Sequence, residues 1–157
     1  MTRPPRLTLT VQYAVREYAA LKARLPRATL ARWIKSALLR PAALTLRFVD
    51  QEEGWRLNRV YRGTDQATNV LAFVYTEPSD AHVISDIVLC CPVIEREAVE
   101  QNKALDAHYA HLVIHGVLHA QGYRHDDPDN AREMEAFETE RLVALGFADP
   151  YTDPDRN

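Results

Sequence analysis

The sequence predicts an α+β fold: a small mixed sheet of about four strands packed with helices, with a central helix carrying histidines. Three observations point there. Strand-like alternation of apolar and polar residues appears early, at 7–13 and 44–48. Two further apolar, β-branched runs, 68–76 and 83–91, are separated only by the turn-like cluster Glu77-Pro78-Ser79-Asp80 and read as an antiparallel pair. Helical periodicity fills most of the remainder and dominates the chain after Pro92.

Taken in order, 7–13 alternates like a half-buried strand. Residues 29–39 form a helix by their stripe Leu30, Trp33, Ile34 and Leu38, with Thr29 as its cap and Pro41 as its stop. Leu44, Leu46 and Phe48 share one face of a second strand. Gln51–Arg62 is a helix through Trp55, Leu57 and Tyr61, ending at Gly63. After the hairpin, Pro92 suits the first turn of a helix reaching about 103. The histidine helix takes roughly 106–121, and its apolar Leu112, Val113, Val117 and Leu118 predict central burial. A last helix, about 129–145, carries Met134, Phe137, Leu142 and Leu145 on one face and ends at Gly146. The polar tail from about 151 is expected to fray.

The chain has 157 residues, 46% of them hydrophobic, which suits one domain spanning 1–157. No apolar run approaches the roughly 18 residues of a membrane span, and the start lacks a secretory signal, so a cytoplasmic protein is expected. Cys90 and Cys91 are adjacent at the end of an apolar run and read as buried thiols. The net charge of −3 hides an asymmetry: residues 1–62 hold 13 Lys and Arg against 4 Asp and Glu, and the rest reverse the balance. A basic half suits a polyanion, or its charges are solvated helix faces that pair across the fold.

Residues 111–125 carry the chemistry. His115 and His119 are four apart on a helix, about 40° out of line, and can grip one cation. His111 lies about 12 Å from His119 along the axis and cannot share an ion with both others. Gly122 should end the helix in a left-handed cap and let the chain return with His125 as third ligand. Three imidazoles leave a coordination position open, the pattern of catalytic zinc sites. One Zn2+ per chain is therefore expected, although the same donors also suit nickel or copper. Arg62, at a helix end beside Gly63, offers a planar fork for phosphate, or else pairs with Asp65 or Glu52. Asp86, a charge inside an apolar run, is either bonded to backbone donors or part of a site.

His115-Gly116-Val117-Leu118-His119-Ala120-Gln121-Gly122-Tyr123-Arg124-His125 resembles the H-G-x-L-H-x-x-G-Y-D-H signature of the YbeY family of bacterial endoribonucleases and rRNA maturation factors. Leu57-Asn58 through Tyr61-Arg62-Gly63-Thr64-Asp65, with Thr68-Asn69-Val70-Leu71, resembles that family's second motif. Ser85-Asp86-Ile87 is similar to its G-D-I element, and Met134, Glu138 and Glu140 match its final helix. The resemblance covers roughly 44–151. It implies a zinc-dependent, single-strand-specific endoribonuclease acting in 16S rRNA 3′-end maturation and ribosome quality control. It further implies His115, His119 and His125 as metal ligands and Arg62 as a catalytic or RNA-binding residue. Small-subunit ribosomal components and the GTPase Era are the partners it implies. Arg124, Ala72 and Ser85 depart from the pattern, standing for aspartate, serine and glycine. Asp126 and Asp127 are the nearby carboxylates that could replace the missing aspartate, and Asp86, Asp126 and His111 are candidates for lining the pocket or orienting a ligand.

Two other functions compete. A zinc metalloprotease also uses H-x3-H-x5-H, but it carries glutamate after the first histidine, where this chain has Gly116. A ribosome-assembly binding factor with a structural zinc would need no open coordination position.

Overall fold

The computed structural model describes residues 4–62, 68–124 and 126–151. The elements run β1 (Leu7–Ala14), α1 (Tyr18–Arg24), α2 (Arg27–Ala37), β2 (Ala42–Val49), α3 (Gln51–Arg62), β3 (Val70–Val74), β4 (Val83–Cys90), α4 (Cys91–Glu100), α5 (Leu105–Ala120) and α6 (Pro128–Ala144). The fold is α+β with a mixed four-stranded sheet in the order β1-β2-β4-β3. β1 pairs with β2 and β2 with β4 in parallel, and β3 is antiparallel to β4. The expected hairpin is therefore present, with Val70 opposite Leu89.

Strand pleating sorts the two faces. Leu9, Leu44, Leu46, Phe48, Val83, Ile87 and Leu89 point to the main core, where they meet Trp33 and Ile34 of α2 and Val113, Ile114 and Val117 of α5. Each fully buried aliphatic or aromatic side chain there contributes about 1.5–3 kcal/mol through removal from water. The other face is thinner. Val49, Leu71, Val88, Cys90 and Val93 gather under Leu57 of α3, while Thr8, Thr10 and Gln12 of β1 stay exposed. Both cysteines are buried free thiols, and burial pushes the Cys91 thiol up to about 12.

Several boundaries differ from the expectations, each for a local reason. α2 begins at Arg27 after an extended Pro26, so Thr29 lies inside the helix and caps nothing. α4 stops at Glu100 because Asn102 takes a left-handed φ of 53°, with Lys103 N–H bonding to Ala98 C=O. α1 was not foreseen. Gly122 and Gly146 do end their helices at positive φ, 103° and 97°. In each, the next two N–H groups return to the last turn, as Gly122 to His119 and Tyr123 to Leu118 do. The tail 152–157 lies outside the described residues. No helix among those described is long and apolar enough to cross a membrane.

Candidate metal centre

α5 is packed by α2, α4, α6 and the sheet, as its apolar composition demands. From His108 to Ala120 every residue is buried except His115 and His119. These two side chains, one turn apart, are where the helix opens to solvent. The close seat on the sheet depends on Gly116: a Cβ there would lie 2.9 Å from Ile87 Cγ2 and 3.4 Å from Val70 Cγ2. That spacing also closes the position at which a protease would place its glutamate.

His119 lies between two clefts. One, about 560 Å³, is lined by Pro78, Tyr123, Arg124 and Asp126; the other, about 210 Å³, by Thr68, Asn69 and His115. The wall of the larger cleft is pinned by Arg40. Its guanidinium donates to the carbonyls of Pro78 and Asp80 in the β3–β4 turn and to that of Gln121 at the end of α5. In the smaller cleft, the Asn69 amide donates to Glu97, which also faces His108 Nε2 at 3.1 Å.

Behind His115 sits Glu138 of α6, fully buried. Its Oε1 is 2.6 Å from His115 Nδ1 and its Oε2 2.9 Å from His111 Nε2, and Oε2 also accepts from the Tyr151 hydroxyl. Burial alone would push this carboxyl up, but hydrogen bonds from His111 and His115 outweigh it and hold it down at about 2. Sequence reasoning gave Glu138 no role, although it lies four residues from both Met134 and Leu142 on the buried stripe of α6. A carboxylate in that register had to have partners in the core.

The other candidates separate. His111 is buried against Glu138 rather than open to the cleft. Asp86 belongs to the opposite face of the sheet: Ser85 and Ile87 turn toward α5, so the residue between them turns away. There it accepts from the Tyr75 hydroxyl at 2.7 Å, which corrects its assignment to the histidine pocket. Asp127 caps α6 by accepting from Asn130 N–H, and Asp126 accepts from the Asn130 side chain at the cleft edge. Arg62 ends α3; its side chain, the motif residues 63–67 and His125 lie outside the described residues. No three His, Cys, Asp or Glu side chains among those described converge as a metal-holding group. The donor set still suits zinc. Two imidazoles one turn apart on α5 are zinc donors by type, and His115 is backed by the Glu138 carboxylate at 2.6 Å.

A mixed sheet backed by a largely buried helix that opens to a cleft at two histidines, one of them bonded to a buried carboxylate, defines an α+β protein with a candidate metal site. A family model described as endoribonuclease YbeY matches residues 15–146. Proteins named endoribonuclease YbeY from Paraburkholderia phymatum and Paraburkholderia phytofirmans are each 59% identical over 152 residues, 96% of this chain and 99% of theirs. One of the same name from Cupriavidus pinatubonensis is 60% identical over 151 residues, 96% of this chain and 74% of its own. The chain belongs to the endoribonuclease YbeY family. A solution structure of a Thermotoga maritima protein shares the fold, with a TM-score of 0.61 at 23% identity over 96% of this chain and 100% of that one.

Proposed function

We propose that this chain is a cytoplasmic, zinc-dependent, single-strand-specific endoribonuclease that acts in 16S rRNA 3′-end maturation and ribosome quality control. The observation that carries the reading is the pair His115 and His119, the accessible residues of an otherwise buried helix segment, which share the smaller cleft while His119 also lines the larger. Identity of 59% over 96% of this chain to a relative named as an endoribonuclease supports the reaction class. His115, His119 and His125 would hold the ion. Zinc bound there supplies a Lewis acid for a phosphoryl oxygen and favours ionised water near neutral pH. The chain's own residues do the positioning. Arg62 grips the scissile phosphate through its fork of N–H donors and stabilises charge that grows on it. Asn69, its amide held by Glu97, lies beside His115 where the ribose-phosphate chain would pass. The RNA of the small ribosomal subunit, its protein components and the GTPase Era are the partners this role calls for.

The test is cleavage of a defined single-stranded RNA by metal-stripped protein, with and without added zinc. Zinc is expected to restore cleavage, and His115→Ala, His119→Ala or His125→Ala to abolish both zinc uptake and cleavage. His82→Ala, in the exposed hairpin, is expected to change neither. Arg62→Ala should slow cleavage roughly 10²-fold at unchanged zinc content, and Arg62→Lys should recover only part of that loss. Equal cleavage with and without zinc defeats the metal role. Zinc uptake without cleavage of any single strand turns the reading toward a binding factor.

A further inference from the structure

We infer that Glu138 is the positioning residue of this metal centre, holding His115 with Nδ1 protonated and directed inward so that Nε2 is the nitrogen presented to an ion. The inference rests on the metal reading above and assigns a role to a residue outside the ligand set. Its basis is geometric. Each oxygen of one buried carboxylate meets a different imidazole of α5, His115 at 2.6 Å and His111 at 2.9 Å. Because His111 and His115 are four residues apart, one carboxylate placed between their rings can bridge two helical turns. The Tyr151 hydroxyl closes the cage by donating to the oxygen that faces His111.

A carboxylate removed from water persists only when its oxygens are paired, and an ionised one is acceptor-only. It therefore requires a proton on the His115 nitrogen that it faces. Neutral imidazole has one proton to place, so the second nitrogen keeps its lone pair. His111 gains a function by the same geometry: one turn too far along to serve as a ligand, it holds the far oxygen of Glu138 and stops the carboxylate from swinging away from His115. Its ring is wedged edge-on between His115 and Tyr151, with centroids 6.4 and 5.3 Å away. Support of this kind, from residues outside the ligand set, fixes the orientation of the ring that would hold an ion.

A purely structural Glu138 would join α5 to α6 through the same bonds, yet loss of its charge in a folded protein would leave zinc affinity unchanged, which gives the test its deciding readout. In metal-free wild-type protein, 15N spectra should show the neutral His115 ring protonated at Nδ1. Glu138→Gln keeps the shape and removes the charge. It should bind zinc about 10–100-fold more weakly in competition with a chromophoric chelator, with the metal-free fold intact by circular dichroism. Wild-type His115 protonated at Nε2 overturns the inference, and so does a folded Glu138→Gln protein with wild-type zinc affinity. If Glu138→Gln does not fold, the wild-type tautomer decides alone. A wild-type protein that takes up no zinc, or one whose affinity survives His115→Ala, overturns the metal reading and this inference with it. Zinc uptake lost in His115→Ala yet unchanged in Glu138→Gln removes only this one.

Discussion

Two carboxylates hold buried imidazoles on α5, and the balance of forces differs between them. Around His108, burial dominates: desolvation lowers its pKa, and the hydrogen bond and charge of Glu97 oppose that only in part. The folded pKa thus lies below the unfolded value of about 6.5. As pH falls, the unfolded chain takes up its proton first, so stability is lost on acidification from about pH 6.5 down to the folded pKa and no further below it. Metal-free protein should show a falling melting temperature over roughly pH 7 to 5, and His108→Gln should flatten that slope. Equal slopes would mean that another group governs it. At this scale part of the candidate site's geometry was legible. His115 and His119 follow from helical spacing alone, because two polar residues four apart in an apolar helix mark one opening. Glu138 was hidden because its partners lie on another helix, and sequence periodicity reports a face without saying what it meets. Asp86 was misplaced although the period of two, with Ile87 in the core, already turned it away.

Helices and strands follow the apolar pattern closely wherever an element has a strong face of its own. α3 was expected over the span it occupies, and the β3–β4 pair was readable from its short turn. α1 was not. It has seven residues, no side-chain cap at Glu17, and is held by burial of Leu21 and, just beyond it, Leu25. So short a helix has little stability alone, and tertiary contact decides it. Strand partners were equally out of reach, since alternation gives a strand its faces but says nothing of parallel neighbours. How closely elements approach is testable at Gly116. Gly116→Ala should gain about 1 kcal/mol in helix propensity and lose about 1–3 kcal/mol as its methyl meets Ile87. Net destabilisation in urea unfolding is expected. Adding Ile87→Ala should make the two costs less than additive, because the same space is then vacated. Strict additivity would show that α5 does not sit on β4 at that point.

Across the whole molecule, the charge split is partly consumed inside the fold. Arg24 bonds to Asp106 across the two halves, Arg47 to Glu53, and Arg27 and Arg40 to backbone carbonyls. The remaining basic side chains of residues 1–62 are the proposed surface for RNA. Affinity for a single strand should fall linearly on a log–log plot against salt, with a slope of about −0.7 per phosphate neutralised. Fluorescence anisotropy across a salt series measures this, and a flat response would assign the basic half to solubility instead. The parallel ladders carry one more consequence, which concerns time. Leu7 pairs with Ala42, and Ala42 with Val83, so neither ladder can close until whole helices have been laid down between its strands. Such non-local pairing is slow to form, and a chain made from its N-terminus acquires β4 only after β1 and β2 have waited for it. The histidine helix comes later still, and it docks on a sheet whose last strand has already been synthesised. The imidazoles of α5 are thus made after the whole sheet but before Glu138 of α6, so the carboxylate that backs His115 is the last part of the arrangement to arrive.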